Sequence, residues 1–216
     1  MGWLRDLMET VLTVFYGFTG SYGFAIILFT VFIRALLYPL VNKQTKSMKQ
    51  MQKLQPIMDE LKEKHGEDKE KFQQETMKLY QKYKINPAAG CLPLLIQMPI
   101  LFALFRVLRE WDKLAGESFL FISDLSEPSI VLVVITGLIM LAQGFVTQKM
   151  SGNKSKVAML MPLFIIAVGF NLPAGVLVYW SISTAIMAVQ QYMIHSQDFD
   201  TIDVEEVKKE LKEESN

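Results

Sequence analysis

Long stretches without charge constrain this chain more than any other feature of its sequence. Charged residues make up 20% of the chain, but the 22 basic and 22 acidic side chains cluster in a few blocks. The segments between those blocks approach the length of about 20 predominantly apolar residues that a helix needs to cross a bilayer. This distribution excludes a disordered chain, a coiled coil and a typical soluble enzyme, and it predicts an all-α polytopic membrane protein.

Five segments meet or approach the length of a membrane span. The fourth of them is short, but only Asn171-Leu172-Pro173 separates it from the fifth. So tight a turn joins antiparallel neighbours, which favours counting the short segment as a span. We therefore expect five transmembrane helices, at residues 23–41, 88–108, 130–148, 157–170 and 174–194.

Lysine and arginine in the connections predict the orientation, because these residues are enriched on the cytoplasmic side. Segment 42–87 carries 11 lysines and loop 149–156 carries three, whereas loop 109–129 holds two basic residues against five acids. We expect the first two connections and the tail 195–216 in the cytoplasm, and loop 109–129 and the N-terminus outside. Apolar residues at helical spacing in segment 1–22 predict an amphipathic helix in the outer interface.

The cytoplasmic segment 42–87 has helical apolar spacing on both sides of a break at His65-Gly66-Glu67, which predicts a helical hairpin. One interpretation is a solvated hairpin whose apolar seam packs on itself. The other is an adaptable surface for apolar partners, because methionine side chains repack easily. Its lysines also suit anionic lipid. Four methionines would form the adaptable surface: Met48, Met51, Met58 and Met77.

Arg34 is the charged residue within the first predicted span. It lies roughly 15 Å of helix from the outer end, where a charge costs about 2.5–3.5 kcal/mol on insertion scales. Snorkelling toward the cytoplasmic interface is one interpretation. Thr30 at i−4 and Tyr38 at i+4 give this helix face a polar stripe, which favours a wet cavity between helices.

Other predicted spans carry uncharged polar residues that fit the same hydrophilic chamber. Each of them also has an ordinary interpretation, a hydrogen bond to a neighbouring helix. No aspartate or glutamate falls within any predicted span, so the chamber is expected to be positively charged and to attract acidic or polar segments. The candidates are Gln97, Thr136, Gln143, Thr147, Gln148, Trp180, Thr184 and Gln191, with Ser181 and Ser183 nearby.

The sequence offers no pattern for catalysis. One cysteine, Cys91, and two distant histidines, His65 and His195, provide neither an internal disulfide nor a zinc site. No glycine-rich phosphate loop is present, and a net charge of zero does not suggest nucleic acid. We expect a protein that is not an enzyme, without metal or cofactor and without a specific nucleic-acid partner.

One stretch of the sequence, from Asn86 to Ile100, closely resembles the signature of the YidC membrane-protein insertases, whose relatives occur in mitochondria and chloroplasts. The similarity extends over nearly the whole chain. The family's first core span with its arginine resembles Thr30–Leu40, and its cytoplasmic hairpin resembles Met51–Pro56. The end of its third core span resembles Gln148–Met150, and the start of its fifth resembles Ala174–Trp180.

This resemblance implies five helices around a hydrophilic groove that opens to the cytoplasm and the lipid and is closed to the outside. It implies that the chain inserts and helps fold newly made membrane proteins, alone or with the Sec translocon. By position, Arg34 is the charge of the groove, and the hairpin is the element that receives substrates. The matching groove-lining or substrate-contact residues are Thr30, Tyr38, Gln148 and Trp180.

The sequence lacks the large outer domain of Gram-negative relatives, so it resembles the Gram-positive type and is expected in a bacterial plasma membrane. Residues 196–216 carry eight acids against three lysines. Such a tail repels ribosomal RNA, so a ribosome is expected to bind, if at all, through other parts of the chain.

Two alternative functions fit parts of this pattern. A small-solute transporter or channel would use a similar polar interior, but such proteins usually have an internal repeat, and none is visible here. An assembly chaperone would fold membrane proteins without inserting them. We expect the insertase.

Overall fold

The computed structural model describes residues 2–65, 67–86, 92–110, 114–151, 166–196, 204–205, 207 and 209. Most of the expected fourth span, 157–170, lies outside these residues, and so do Cys91 and part of the signature stretch. The described chain forms six helices: α1 Gly2–Thr19, α2 Tyr22–His65, α3 Lys69–Lys82, α4 Leu92–Glu110, α5 Ile130–Ser151 and α6 Ala174–His195.

The all-helical class is confirmed, since the described residues contain helices and a single isolated β-bridge between Phe119 and Ile122. By length and composition, α2 and α5 are apolar enough to cross a membrane. The count of five spans stays a prediction.

Helix α2 is continuous over 44 residues, from Tyr22 to His65. At the ideal rise it is about 66 Å long, which is twice the thickness of a bilayer's hydrocarbon core. Pro39 and Pro56 both lie inside it. The helix therefore passes without a break through position 42, where the sequence suggested that the span gives way to the cytoplasmic hairpin.

Helix α6 packs against α2, α4 and α5 and lies at the centre of the bundle. Its buried side chains include Leu177 and Tyr179, and the ring of Tyr179 lies 6.4 Å from that of Phe29 on α2. Packing is tight at the N-terminal end of α6, where position 175 is a glycine. A Cβ atom there would lie 3.2 Å from side-chain atoms of both Ile26 and Leu108.

The loop between α4 and α5 covers the outer end of α6. The N–H groups of Ala174 and Gly175 donate to the carbonyl oxygens of Glu127 and Leu125, at 2.8 and 2.9 Å. These bonds satisfy donors that a helix N-terminus otherwise leaves unpaired. We call the described part of this loop, residues 114–129, the outer cap. Four of its apolar side chains are buried in the core: Leu114, Phe119, Ile122 and Leu125.

A second, separate apolar cluster forms in the hairpin made by the C-terminal part of α2 and by α3. Leu54 and Ile57 on α2 pack with Leu79 on α3 and with Ile85, which follows α3. We call these four residues the hairpin seam. Asp68 caps α3 by accepting a hydrogen bond from the Lys71 N–H at 3.0 Å. The predicted hairpin is therefore present, and its apolar residues pack between its two arms.

Candidate polar site between the helices

Arg34 lies in the interior of the bundle, with 7% of its surface exposed. Its Nε donates a hydrogen bond to the Ser183 hydroxyl of α6 at 2.8 Å, and its Nη2 donates to the same oxygen. Ser183 is itself buried. One hydroxyl therefore accepts from two of the five N–H groups of the guanidinium.

The charge of Arg34 is not neutralised by a carboxylate in the described part of the chain, since its hydrogen bonds there go to a hydroxyl. Carboxylates are the strong partners of a guanidinium, and they bind it with two parallel bonds. A single neutral oxygen is a weaker substitute. The arrangement leaves a buried cation whose preferred partner, an acidic or polar group, can come from another molecule.

Helix α6 also supplies hydroxyl partners to two other helices. The Ser181 hydroxyl lies 2.7 Å from the Thr136 hydroxyl of α5, and Gln97 of α4 donates to the Tyr179 hydroxyl at 3.1 Å. Together with Ser183, these residues form a polar layer around one stretch of α6. Arg34, Thr136 and Gln97 enter the layer from three different helices.

A second polar layer lies roughly 12 Å further along α6, eight residues after Ser183. Gln143 of α5 donates to the Gln191 side-chain oxygen at 2.6 Å and to the Thr147 hydroxyl at 3.2 Å. We call the layer around Ser183 the arginine layer and the layer around Gln191 the glutamine layer.

Several buried amide atoms near the level of the glutamine layer have no hydrogen-bond partner within the part of the chain that the structure describes. They are both side-chain atoms of Gln44 and the oxygens of Gln143 and Gln190. Gln44 follows Arg34 by ten residues, about 15 Å of helix, so it lies at a similar depth. A buried polar group without a partner costs about 1–3 kcal/mol. Water or a polar segment entering from this end would therefore be stabilised.

The candidate residues of the sequence fall into three groups. Arg34, Gln97, Gln143 and Thr184 lie in or beside the polar layers, and Thr184 is buried. Thr30 is buried and donates to the carbonyl of Ile26 in its own helix at 2.6 Å.

The remaining candidates are more accessible. Gln148 and Trp180 are half-buried. Tyr38 is 42% exposed, and within the described residues no hydrogen bond joins it to either layer.

The four methionines do not share one surface. Met48 is buried, while Met51 and Met58 pack against the hairpin seam. Met77 is 47% exposed. The apolar seam of the hairpin therefore packs largely on itself, which agrees with the first of the two interpretations given above.

Sequence reasoning did not identify Tyr179 and Ser183 as the partners of Gln97 and Arg34. The two residues are four apart and thus share one face of α6. The pattern emphasised Trp180 and Thr184, which are one position further along and lie on a neighbouring face. The i, i+4 spacing of Tyr179 and Ser183 indicated that they share one face of α6. Hydroxyl side chains occur on several faces of this helix, so the spacing did not show which face meets Gln97 and Arg34.

The outer cap is held by a carboxylate. Asp124 accepts hydrogen bonds from the Gly116 N–H at 3.0 Å, the Ser126 N–H at 2.8 Å and the Ser126 hydroxyl at 2.7 Å. The Ser126 hydroxyl bond is the largest cause that lowers the pKa of Asp124 below its ordinary value, followed by the two backbone bonds. The cap is therefore stabilised by the ionised form of this side chain.

The fold and site together define a class: a helical membrane protein whose central helix provides one hydroxyl, that of Ser183, to a buried arginine that no carboxylate of the described residues neutralises. Comparisons with known proteins agree with this class. The family model described as 60Kd inner membrane protein matches residues 14–201. The membrane protein insertase YidC of Fusobacterium nucleatum is 39% identical over 198 residues, covering 88% of this chain and 94% of that relative.

Longer relatives match over the same region. The membrane protein insertases YidC of Geobacter sulfurreducens and Syntrophus aciditrophicus are 39% and 42% identical over 202 and 201 residues. The chain spans 38% and 37% of their lengths. A crystal structure of an active YidC insertase with its first transmembrane domain resolved aligns with a TM-score of 0.69 and 31% identity, covering 88% of this chain and 46% of that one.

The chain therefore belongs to the 60Kd inner membrane protein family, which includes the YidC insertases.

Proposed function

We propose that this chain inserts newly made membrane proteins into the bacterial plasma membrane and helps them fold, without acting as an enzyme. The buried charge of Arg34, which no carboxylate in the described residues neutralises, is the observation that carries the proposal. Its partner in the bundle is one neutral hydroxyl, that of Ser183. An acidic or polar flank of a client can replace that hydroxyl without first breaking an ion pair.

The two polar layers suggest a path for the client's polar flank. Both side-chain amide atoms of Gln44 and the amide oxygens of Gln143 and Gln190 lack a partner among the described residues, which favours entry at the glutamine layer, from the cytoplasmic end. The flank then reaches the arginine layer, where hydroxyls and the guanidinium replace water. Each such replacement lowers the cost of removing a polar group from water.

The outer cap supports insertion that begins in the cytoplasm. Its buried residues close the outer end of the bundle, so a client does not pass straight through. The apolar part of the client instead moves sideways into lipid, and its burial supplies about 25 cal/mol per Å². We place the N-terminus and outer cap outside and the hairpin and C-terminus in the cytoplasm, with the lysine distribution as support.

The partners in this proposal are newly made membrane proteins and the lipid bilayer. The Sec translocon is a further proposed partner for clients with long outer segments, because a capped bundle has no continuous path for them. The ribosome is proposed only through surfaces other than the acidic tail.

The test is insertion of a client with a short acidic outer flank into proteoliposomes carrying Arg34→Ala. We expect the insertion yield to fall about tenfold, since a hydrogen bond to a charged group contributes about 1.5–3 kcal/mol. Arg106→Ala is the matched control, because Arg106 is exposed on α4. It should leave the yield unchanged.

A second client with a neutral flank sharpens this test. The defect of Arg34→Ala should shrink when the acidic residue of the flank is replaced by its amide. Full insertion of the acidic client by Arg34→Ala, or equal loss in both arginine variants, contradicts the proposed role of the charge. Leakage of small solutes through the unmodified protein would instead favour a channel.

A further inference from the structure

The C-terminal segment contacts the hairpin seam. Val207 is 1% exposed and belongs to the same apolar cluster as Leu54, Ile57, Leu79 and Ile85. Val204 is half-buried and packs against that cluster. Part of the apolar surface between the arms of the hairpin is thus covered by a segment more than 100 residues away in sequence.

The described residues of this segment have helical backbone, and its two valines share one face. Positions 204, 205, 207 and 209 have helical backbone. Val204 and Val207 are three residues apart and share a face, while Glu205 and Lys209 are exposed. Among the described residues, the segment therefore docks through two valines, while Glu205 and Lys209 lie on its exposed side.

Charge favours the same docking. The chain from residue 196 to 216 carries eight acids against three lysines, whereas residues 42–58, the first part of the hairpin, carry four lysines and no acid. An acidic segment is attracted to this basic arm, and at about 0.1–0.15 M salt the attraction is largely screened beyond about 8–10 Å.

We propose that the C-terminal segment is an internal ligand of the hairpin seam, and that clients displace it. The surface it covers accepts a short aliphatic stretch flanked by acids, because the tail itself has that chemistry. An apolar client segment with an acidic flank has the same two features. Two valines form a small anchor, so a longer aliphatic segment competes well. This inference rests on the proposed function, since it names the surface where the client is first bound.

The experiment measures the accessibility of the seam directly. In a Cys91→Ser background, Ile85→Cys places a thiol at a position that is 5% exposed in the seam. Its alkylation rate by a soluble maleimide in nanodiscs reports how often the seam is uncovered. Adding Val207→Asp to this protein puts a negative charge into the apolar cluster. The control, Lys209→Asp, puts a negative charge at an exposed position of the same segment.

We expect Val207→Asp to raise the alkylation rate about tenfold, as a locally opened contact does. Lys209→Asp also makes the tail more acidic but should leave the rate the same or lower it. Circular dichroism of both variants should match the parent, which separates release of the tail from unfolding. Equal rates in all three proteins overturn the docking.

A synthetic peptide with an aliphatic core and acidic flanks then tests displacement. It should bind the Val207→Asp protein more tightly than the parent, and its binding to the parent should weaken as salt is raised. Equal affinity of the peptide for the two proteins overturns the proposal that the tail and a client bind the same surface. The insertion yield of the Arg34→Ala protein is measured in a separate experiment. If the tail does not dock but Arg34→Ala lowers the insertion yield, the tail proposal fails and the proposed function stands.

Discussion

At the scale of single residues, the pairing of Arg34 with Ser183 explains how a charge is held between helices without an ion pair. The sequence predicted the importance of Arg34, because an arginine within an apolar span is costly and conspicuous. It did not predict the partner. Ser181, Ser183 and Thr184 follow one another closely on α6, and only the rotation of that helix decides which hydroxyl meets α2.

The stability of the arginine layer provides the first prediction. Ser183→Ala removes the acceptor of a charged donor, a loss of about 1.5–3 kcal/mol, whereas Ser181→Ala removes a neutral bond of about 0.5–1.5 kcal/mol. Thr136 also keeps its bond to the Leu132 carbonyl at 2.6 Å. Thermal unfolding in detergent should therefore show a larger drop in Tm for Ser183→Ala. If Ser183→Ala lowers the Tm by the same amount as Ser181→Ala or by less, the Ser183 hydroxyl is not the main acceptor in the arginine layer.

Gly23 provides a prediction about the outer cap. A Cβ atom at this position would lie 2.1 Å from the ring of Phe119, while one at Gly17 meets nothing within 4 Å. Gly23→Ala should thus destabilise the protein by about 1–3 kcal/mol through overpacking. Gly17→Ala, the control within α1, should be neutral or stabilising, because alanine is about 0.5–1 kcal/mol better than glycine inside a helix. Unfolding by heat or denaturant measures both, and a neutral Gly23→Ala contradicts the tight contact.

At the scale of elements, α2 joins the apolar bundle to the lysine-rich hairpin as one helix. The sequence indicated two units here, because its composition changes from apolar to lysine-rich near Asn42. Helix propensity does not change at that point, and glutamine, lysine and methionine are all good helix formers. The change in composition near Asn42 therefore did not correspond to a break in the helix.

Distance measurements test the continuity of α2. Spin labels at Leu36→Cys and Asp59→Cys in the Cys91→Ser background should give a narrow distribution near 35 Å, from 23 residues at the helical rise. Both positions are exposed on α2. Labels at Lys43 and Asp59, at about 24 Å, serve as a control within the hairpin arm. A broad, shorter distribution for the first pair alone would reveal a hinge.

The outer cap should depend on pH through Asp124. The pKa of this carboxyl is lowered in the folded protein, first by the Ser126 hydroxyl and then by the Ser126 and Gly116 N–H groups. A lowered pKa adds stability above the unfolded-state value of about 3.9. That stability is lost as the pH falls through the folded-state pKa. The Tm difference between the parent and Asp124→Asn should be largest at neutral pH and should narrow below about pH 4. A constant difference across this range contradicts a stabilising carboxylate.

At the scale of the whole molecule, the structure combines a capped outer end, two polar layers and a cytoplasmic hairpin covered by the C-terminal segment. Apolar periodicity was sufficient to predict the helical class and the hairpin, because both follow from short-range spacing. The contact of Val207 with the hairpin was not predictable in this way. Two valines in an acidic tail carry little signal, and their partners are fixed by the tertiary structure.

Crosslinking of a stalled client tests the central claim most directly. A photoreactive residue is placed at Trp180, beside the arginine layer, and in a matched protein at Leu138, which is 62% exposed on α5. We predict that the acidic flank of an early insertion intermediate crosslinks at position 180 and that Arg34→Ala removes this product. Crosslinks at position 138 alone, or a product at 180 that survives the loss of Arg34, would contradict the account.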